Sequence, residues 1–443
     1  MGVYSPTDAQ TPRRSKRWRL LSRRWLLPGM RVKRYALIAL IGGLLLLLGV
    51  VQLTWDGPLV SGFFQLARWA VLLGLPQWLS GLFWMALGVV LVFLGIRWMN
   101  RSVLSALADP DTVPEQVYIR RRLENGPRIV ALGGGTGLSR VLKGLKQETA
   151  NITAIVAATD DGGSTGRLRT SFGIPAVGDL VDCLAALSDA EGLPDLMQYR
   201  FARGGDLAGH TFGNLMLVSL YELAASSRND SRGGDFAAAI RQANSILRLR
   251  GAVWPATDRP AKLWAIRENG SREEGESRLR HGQGRILRVG LTPPDVPAMP
   301  EALEALRRAD LIVLGPGSLY TSVIPSFLPP EIAQAIRQSS AKVCYIANVM
   351  TEVGETDGLS VYEHYQAVAA HLGRRPDIVL VHTAPIDPEL LARYAAENQN
   401  PVALDLEALE ATGVRIVPGD FLEKGPYAQH DPSKLVRALI ALC

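Results

Sequence analysis

Two runs in the first hundred residues carry no charge. Tyr35 to Leu53 is nineteen residues long with Gln52 as its one strongly polar position, and Leu79 to Ile96 is eighteen. As a helix rising about 1.5 Å per residue, the first run reaches roughly 28 Å, the hydrocarbon thickness of a bilayer. Trp55, Trp78 and Trp98 stand at the edges of the runs, where an amphipathic indole favours the headgroup layer. The pattern predicts a transmembrane helical hairpin over 35–96, with spans at 35–53 and 79–96. Between the spans, Leu59 to Leu75 is bounded by Pro58 and Pro76 and interrupted by Gln65 and Arg68. An arginine at mid-bilayer is costly, so this stretch reads as interfacial or re-entrant.

Residues 97–127, with Asp109-Pro110-Asp111 and Asn125-Gly126-Pro127, read as a linker into a second region at 128–443. There the pattern changes to short buried-strand runs at 128–132, 152–158, 309–314, 342–347 and 377–381, separated by helical stretches. Most of these runs end in small polar residues. The alternation predicts an α/β domain with a Rossmann-like, doubly wound, mostly parallel sheet and a ligand crevice at the strand ends. Residues 233–290 break the rhythm: a helix at 236–247, strand-like runs at 262–268 and 285–291, and a charged turn at 271–282. They read as an inserted subdomain, either covering the crevice or forming a solvated hairpin.

Charge separates the same two regions. Residues 1–128 carry 17 Lys/Arg against 6 Asp/Glu, whereas residues 129–443 carry 31 against 36. Ten of the basic residues lie in the arm 1–34 and six in 97–128, while the 54–78 loop holds only Arg68. The positive-inside rule places both flanks, and the domain that follows, on the cytoplasmic side of a two-span membrane protein. The basic arm is also suited to anionic lipid. An acidic 315-residue remainder is not the footprint of a nucleic-acid binder, despite an overall pI near 9.3. Cys183, Cys344 and Cys443 are far apart with no C-x-x-C pair, which excludes a disulfide framework and a thiolate zinc site.

Candidate chemistry gathers at the strand ends. After the first strand, Gly133, Gly134, Gly135, Thr136 and Gly137 lead into a helix, a pattern suited to bringing backbone amides to a phosphate. The loop lacks the P-loop Gly-Lys-Ser/Thr ending, and its spacing departs from G-x-G-x-x-G, so an NAD(P) oxidoreductase is the weakest class. After the second strand, Asp160 and Asp161 can reach ribose hydroxyls or a metal–phosphate, and Arg167 and Arg169 can pair with phosphate. After the third come Gly315, Gly317 and Ser318, with Thr321, and after the fourth Asn348. Asp179 opens a helix as either an N-cap or a ligand group. His210 and Asn214, four apart, share a helical face if their helix starts early. Neither a zinc-site spacing nor a G-x-S-x-G elbow occurs. Several phosphate-type loops without an evident nucleophile and base favour a binding or regulatory protein. The alternative is a transferase in which Asp160 and Asp161 hold a divalent cation on a nucleotide diphosphate, with Asp161 and His210 the catalytic candidates.

The stretches ALGGGTGLSRVLKGLK, ITAIVAATDDGGSTGRLR, GDLVDCLAALSD, LAGHTFGNLMLVSL, EGESRL, ADLIVLGPGSLYTSVIPSFL, YIANVMTEVGETDG and HDPSKL, in this order, resemble the YvcK/CofD-like family of gluconeogenesis factors. The resemblance implies a Rossmann-like fold and, for the YvcK branch, binding of UDP-N-acetylglucosamine and a role in cell shape and envelope control during gluconeogenic growth. The CofD branch transfers a phospholactyl group from a nucleotide diphosphate carrier to a deazaflavin precursor. Some bacterial members also carry an N-terminal membrane segment. Carried over by motif, the nucleotide crevice would involve Gly133–Gly137, Asp160, Asp161, Asp179, His210, Asn214, Gly315–Ser318 and Asn348. The chain departs from the family at Val181 and Asp182, where Arg and Asn are usual, at Leu359 in place of Tyr, and at Gln429 in place of Arg. The last two remove an expected stacking surface and a phosphate-pairing charge. The expected partners are a UDP-sugar or related nucleotide, membrane lipid and further copies of the chain as a homo-oligomer.

Overall fold

The computed structural model describes residues 113–228 and 235–443, with isolated positions between 61 and 93. The expected spans at 35–53 and 79–96 therefore lie, apart from single positions, outside the described residues. Among the described residues no helix is long and apolar enough to cross a membrane. The chain divides into two compact units, Met1–Arg122 and Leu123–Cys443, and the second carries the fold described below.

Its strands are β1 (Ile129–Gly133), β2 (Ile152–Val156), β3 (Ala252–Pro255), β4 (Lys262–Arg267), β5 (Arg272–Glu274), β6 (Ile286–Thr292), β7 (Leu311–Leu314), β8 (Lys342–Ile346), β9 (Ile378–His382) and β10 (Arg415–Gly419). Seven of them form one sheet in the order β10-β9-β8-β7-β1-β2-β3, and every pairing in it is parallel. The core strands are buried on both faces, which is why they read as unbroken apolar runs. Ile129 and Ala131 of β1 and Leu311 and Val313 of β7 pack into one helical layer. Their neighbours Val130, Leu132, Ile312 and Leu314 pack into the other. The first layer includes the helix Gly135–Leu145, whose Leu138, Val141, Leu142 and Leu145 are buried at helical spacing.

The chain builds outward from β1 to β2 and β3, then returns to place β7 on the opposite side of β1. The strand order reverses between β1 and β7, the point where open α/β sheets part their loops and admit a ligand. The apolar runs predicted five strands; the sheet has seven, and the two additions, β3 and β10, are its edges. β3 is only Ala-Val-Trp-Pro and β10 contains Pro418. Proline is tolerated in edge strands, where no ladder partner needs its missing N–H, but it masks them in the pattern. Of the stretch 233–290, the helix Phe236–Ile246 and β3 belong to the main domain. The antiparallel sheet β5-β4-β6 is separate in its hydrogen bonding, but its Leu263, Ala265, Val289 and Leu291 pack into the same core layer as Leu132 and Leu314.

Candidate functional site

The loops after β1, β2, β7 and β8 open onto a crevice of about 700 Å³, within the range of small-molecule sites. Gly134, Gly135, Thr136 and Gly137 line it from β1, Asp160 from β2, Gly317 and Ser318 from β7, and Asn348 from β8. Asp179 joins them from the first turn of the helix Gly178–Leu187. Its N-cap is Val177 rather than Asp179, and the Asp179 carboxylate instead packs against the first glycine turn, where a Cβ on Gly134 would lie 2.1 Å from its Oδ2. A carboxyl group therefore stands directly beside the glycine turn that the sequence pattern suits to a phosphate.

Other expected groups stand elsewhere. Asp161 does not line the crevice; its Oδ1 accepts the backbone N–H of Ser277 at 2.9 Å and the Ser277 hydroxyl at 2.8 Å. His210 and Asn214 are buried away from the crevice lining, gathered on Ser164. The Ser164 hydroxyl lies 2.8 Å from His210 Nδ1 and accepts from Asn214 Nδ2 at 2.9 Å. They share no helical face, since their helix begins at Phe212. Arg167 and Arg169 do not line the crevice; Arg167 donates to Ala208 O and Arg169 to Thr159 O, both at 2.9 Å. Gly133 and Gly315 shape their turns from behind the lining.

The inserted sheet supplies what the strand-end pattern did not show. A short helix at Glu276–Leu279 brings Glu276 and Arg280 into the crevice, where they pair at 2.7 Å. Glu352 and Glu355 enter from the loop after β8, the latter accepting from the Thr321 hydroxyl at 2.9 Å. One Glu355 oxygen remains buried with no hydrogen-bond partner. Arg140, Tyr394, Gln429 and His430 complete the lining. Of the four departures from the family pattern, Asp182 and Gln429 reach the crevice. Val181 and Leu359 are buried in the core and do not line the crevice, where Tyr394 offers an aromatic ring.

Asp160, Asp179, Asp182, Glu276, Glu352 and Glu355 outnumber Arg140 and Arg280 on these walls. Burial, reinforced by Asp160 and Asp182, pushes the Asp179 carboxyl up to about 7. Burial and Asp160 push Glu276 up to about 9, and burial and Glu352 push Glu355 up to about 7. Burial also holds His430 down at about 4. At the three carboxyls the folded protein binds protons that the unfolded chain has already released, so their contribution to stability falls as pH rises from about 5 through 7 and on toward 9, whereas His430 has the opposite sign and adds stability as pH rises from about 4 through its ordinary range. Glu276→Gln should raise the melting temperature at pH 8, with a gain on the order of 2 kcal/mol after loss of the Arg280 pairing. Near pH 5 the difference should vanish. Thermal melts of both proteins across this range check it; a larger gain at pH 5 than at pH 8 would overturn the assignment. Among the described residues no three His, Cys, Asp or Glu side chains stand close enough together to hold a metal ion.

Residues 129–422, from β1 through the loop beyond β10, match the family described as 2-phospho-L-lactate transferase CofD. The chain belongs to the CofD family. Within the CofD family it is 41% identical over 319 residues to the gluconeogenesis factor of Bacillus subtilis, covering 71% of this chain and 98% of that one. A Nostoc sp. relative, also described as a gluconeogenesis factor, is 43% identical over 431 residues, covering 94% of this chain and 91% of that one. A solved Bacillus halodurans protein is 44% identical with a TM-score of 0.67, covering 71% of this chain and 100% of that chain.

Proposed function

We propose that this CofD-family chain is a regulatory receptor for a nucleotide sugar, UDP-N-acetylglucosamine or a close relative. Its output would be the control of cell shape and envelope metabolism during gluconeogenic growth. The observation that carries the reading is the composition of the crevice. It combines an apolar wall of Val349, Met350, Tyr394 and Ala428 with hydroxyl, amide and carboxylate groups. That mixture suits a base joined to a polyol. The hairpin at 35–96 would hold the receptor at the membrane with the domain on the cytoplasmic side, and the basic arm 1–34 would meet anionic lipid. A divalent cation accompanying the ligand would draw part of its shell from the diphosphate, with Asp160 or Glu352 completing it. Thermal melts of the full chain with UDP-N-acetylglucosamine, UDP and NAD test the reading. A rise with UDP-N-acetylglucosamine exceeding that with NAD is expected. No shift with any uridine nucleotide at millimolar concentration sinks it.

The family match favours one second reading, a transferase moving a phospho-group from a nucleotide diphosphate carrier to an alcohol. Mass-spectrometric detection of such a product, lost in Asp160→Asn with folding intact, would decide for it.

A further inference from the structure

A second cavity, of about 460 Å³, shares no lining residue with the crevice and has the size of a small-molecule site. It is lined by β6, by Trp264 of β4 and by the helices Pro330–Gln338 and Val361–Leu372. The indole is its centrepiece. Gly290 stands opposite Trp264 in the β4–β6 ladder, and a Cβ there would run into the ring, so the indole rests on β6 only because this position is glycine. Trp264 Nε1 donates to Leu291 O at 3.1 Å, and the Arg272 guanidinium holds the ring from 4.7 Å. Leu287, Leu328, Pro330, Ala333 and Ala370 extend the apolar surface, and Leu287 is 58% exposed.

Two observations select the occupant. The first is that β6 has little left to offer a peptide strand. Its Val289 N–H is donated to His371 Nε2 at 3.1 Å, and its Leu291 O is taken by the indole, yet an added strand lives on such main-chain groups. His371 itself is neutral, because Nδ1 lies 2.7 Å from the Ala367 carbonyl and must carry the one ring proton. The second is charge. Among the described residues no Asp or Glu lines the cavity, whereas Arg288 and Arg337 do. Arg337 donates to Leu372 O at 3.0 Å, while the Arg288 guanidinium makes no hydrogen bond or ion pair with any described residue. An uncommitted guanidinium fork beside an apolar wall matches a planar carboxylate. One negative charge is satisfied there, and a second would be buried unpaired.

We propose that this cavity is a second ligand site, independent of the nucleotide-sugar reading, which takes a small carboxylic acid with an aryl or alkyl body. The carboxylate sits on Arg288 and the body against Trp264 and Leu287.

Calorimetric titration of the full chain with naphthylacetate, naphthylethanol and naphthylethylamine tests this, since the three probes share a body and differ in charge. The acid should bind about tenfold or more tighter than the alcohol, the worth of one charge-assisted hydrogen bond, and the amine should bind weakest. Arg288→Gln, at an exposed position, should abolish the preference for acid and leave alcohol binding unchanged. Ala370→Leu, also exposed, puts a larger side chain into the cavity and should weaken acid and alcohol together. Near-ultraviolet circular dichroism verifies that both variants are folded. Acid binding that survives both substitutions lies elsewhere and overturns the proposal. Equal binding of acid and amine overturns it too, as does failure of the acid to bind at millimolar concentration.

Discussion

Replacing Arg267 with alanine is expected to cost about 3–5 kcal/mol of stability, the range for removing one partner of a buried charge pair. It should also loosen the outer wall of the crevice. Arg267 is 1% exposed, and its guanidinium is spent on four acceptors from four segments. Nε donates to Glu273 Oε2 at 2.9 Å, Nη2 to Leu279 O at 2.6 Å, and Nη1 to Gly284 O at 2.5 Å and Gly354 O at 3.0 Å. Leu279 directly precedes Arg280, and Gly354 lies between Glu352 and Glu355. One side chain of the inserted sheet thus fixes two acidic segments that face the crevice. Alanine would leave the Glu273 carboxylate without its partner and the Gly284 and Gly354 carbonyls without donors, while Leu279 O would keep only the Gly282 N–H at 3.3 Å. Arg267→Lys should recover only part of the loss, because a point charge cannot serve a planar fork of acceptors. Urea unfolding of the three proteins reads this directly. A cost below about 1 kcal/mol for the alanine variant would show that the inserted sheet is held by its apolar face alone.

The same residue shows where the sequence was legible and where it was not. The unbroken runs of β1, β2, β7, β8 and β9 announced a parallel sheet because both faces of these strands are buried. Their glycine-rich and acidic ends then located the crevice by topology alone. Glu276 and Arg280 were hidden because a charged turn between two strands has the same composition whether it faces water or a ligand. A signal existed in β4, where Leu263 and Ala265 are buried at period two and Arg267 falls on the same face. An arginine in a core register demands acceptors, and so demands that other segments fold over it. Asp161 and His210 show the converse case. Asp161 at a strand end and His210 before a helix suggested chemistry, but the hydrogen bonds that commit them to Ser277 and Ser164 join residues 116 and 46 positions apart. No local pattern predicts such partners. Asp179 stood in the sequence as a cap or a ligand group, and only the approach of two helices set its carboxyl against Gly134.

Gly137→Ala should reverse the usual effect of that substitution. In a helix interior alanine is favoured over glycine by up to about 1 kcal/mol, and Gly137 lies within the first turn of the helix Gly135–Leu145. Here the added Cβ would lie 2.6 Å from Pro316 O, 2.9 Å from Pro316 C and 3.1 Å from Gly317 Cα. All three atoms are backbone, so no flexible side-chain end can swing aside. The helix start and the β7 loop must separate by several tenths of an ångström to restore ordinary contact. Both are anchored to adjacent strands, since β1 and β7 pair directly, and the strain falls at the switch point itself. A net loss of about 1–3 kcal/mol is expected, as for overpacking in a rigid core. Nucleotide affinity should fall with it, because Gly134–Gly137 and Gly317–Ser318 face each other across one crevice. Melting and ligand titration of Gly137→Ala and Gly137→Ser separate the alternatives. If the glycine were there only to start a helix, alanine would stabilise the protein and leave binding unchanged. If it is there to let two loops touch, both substitutions lose stability and affinity together.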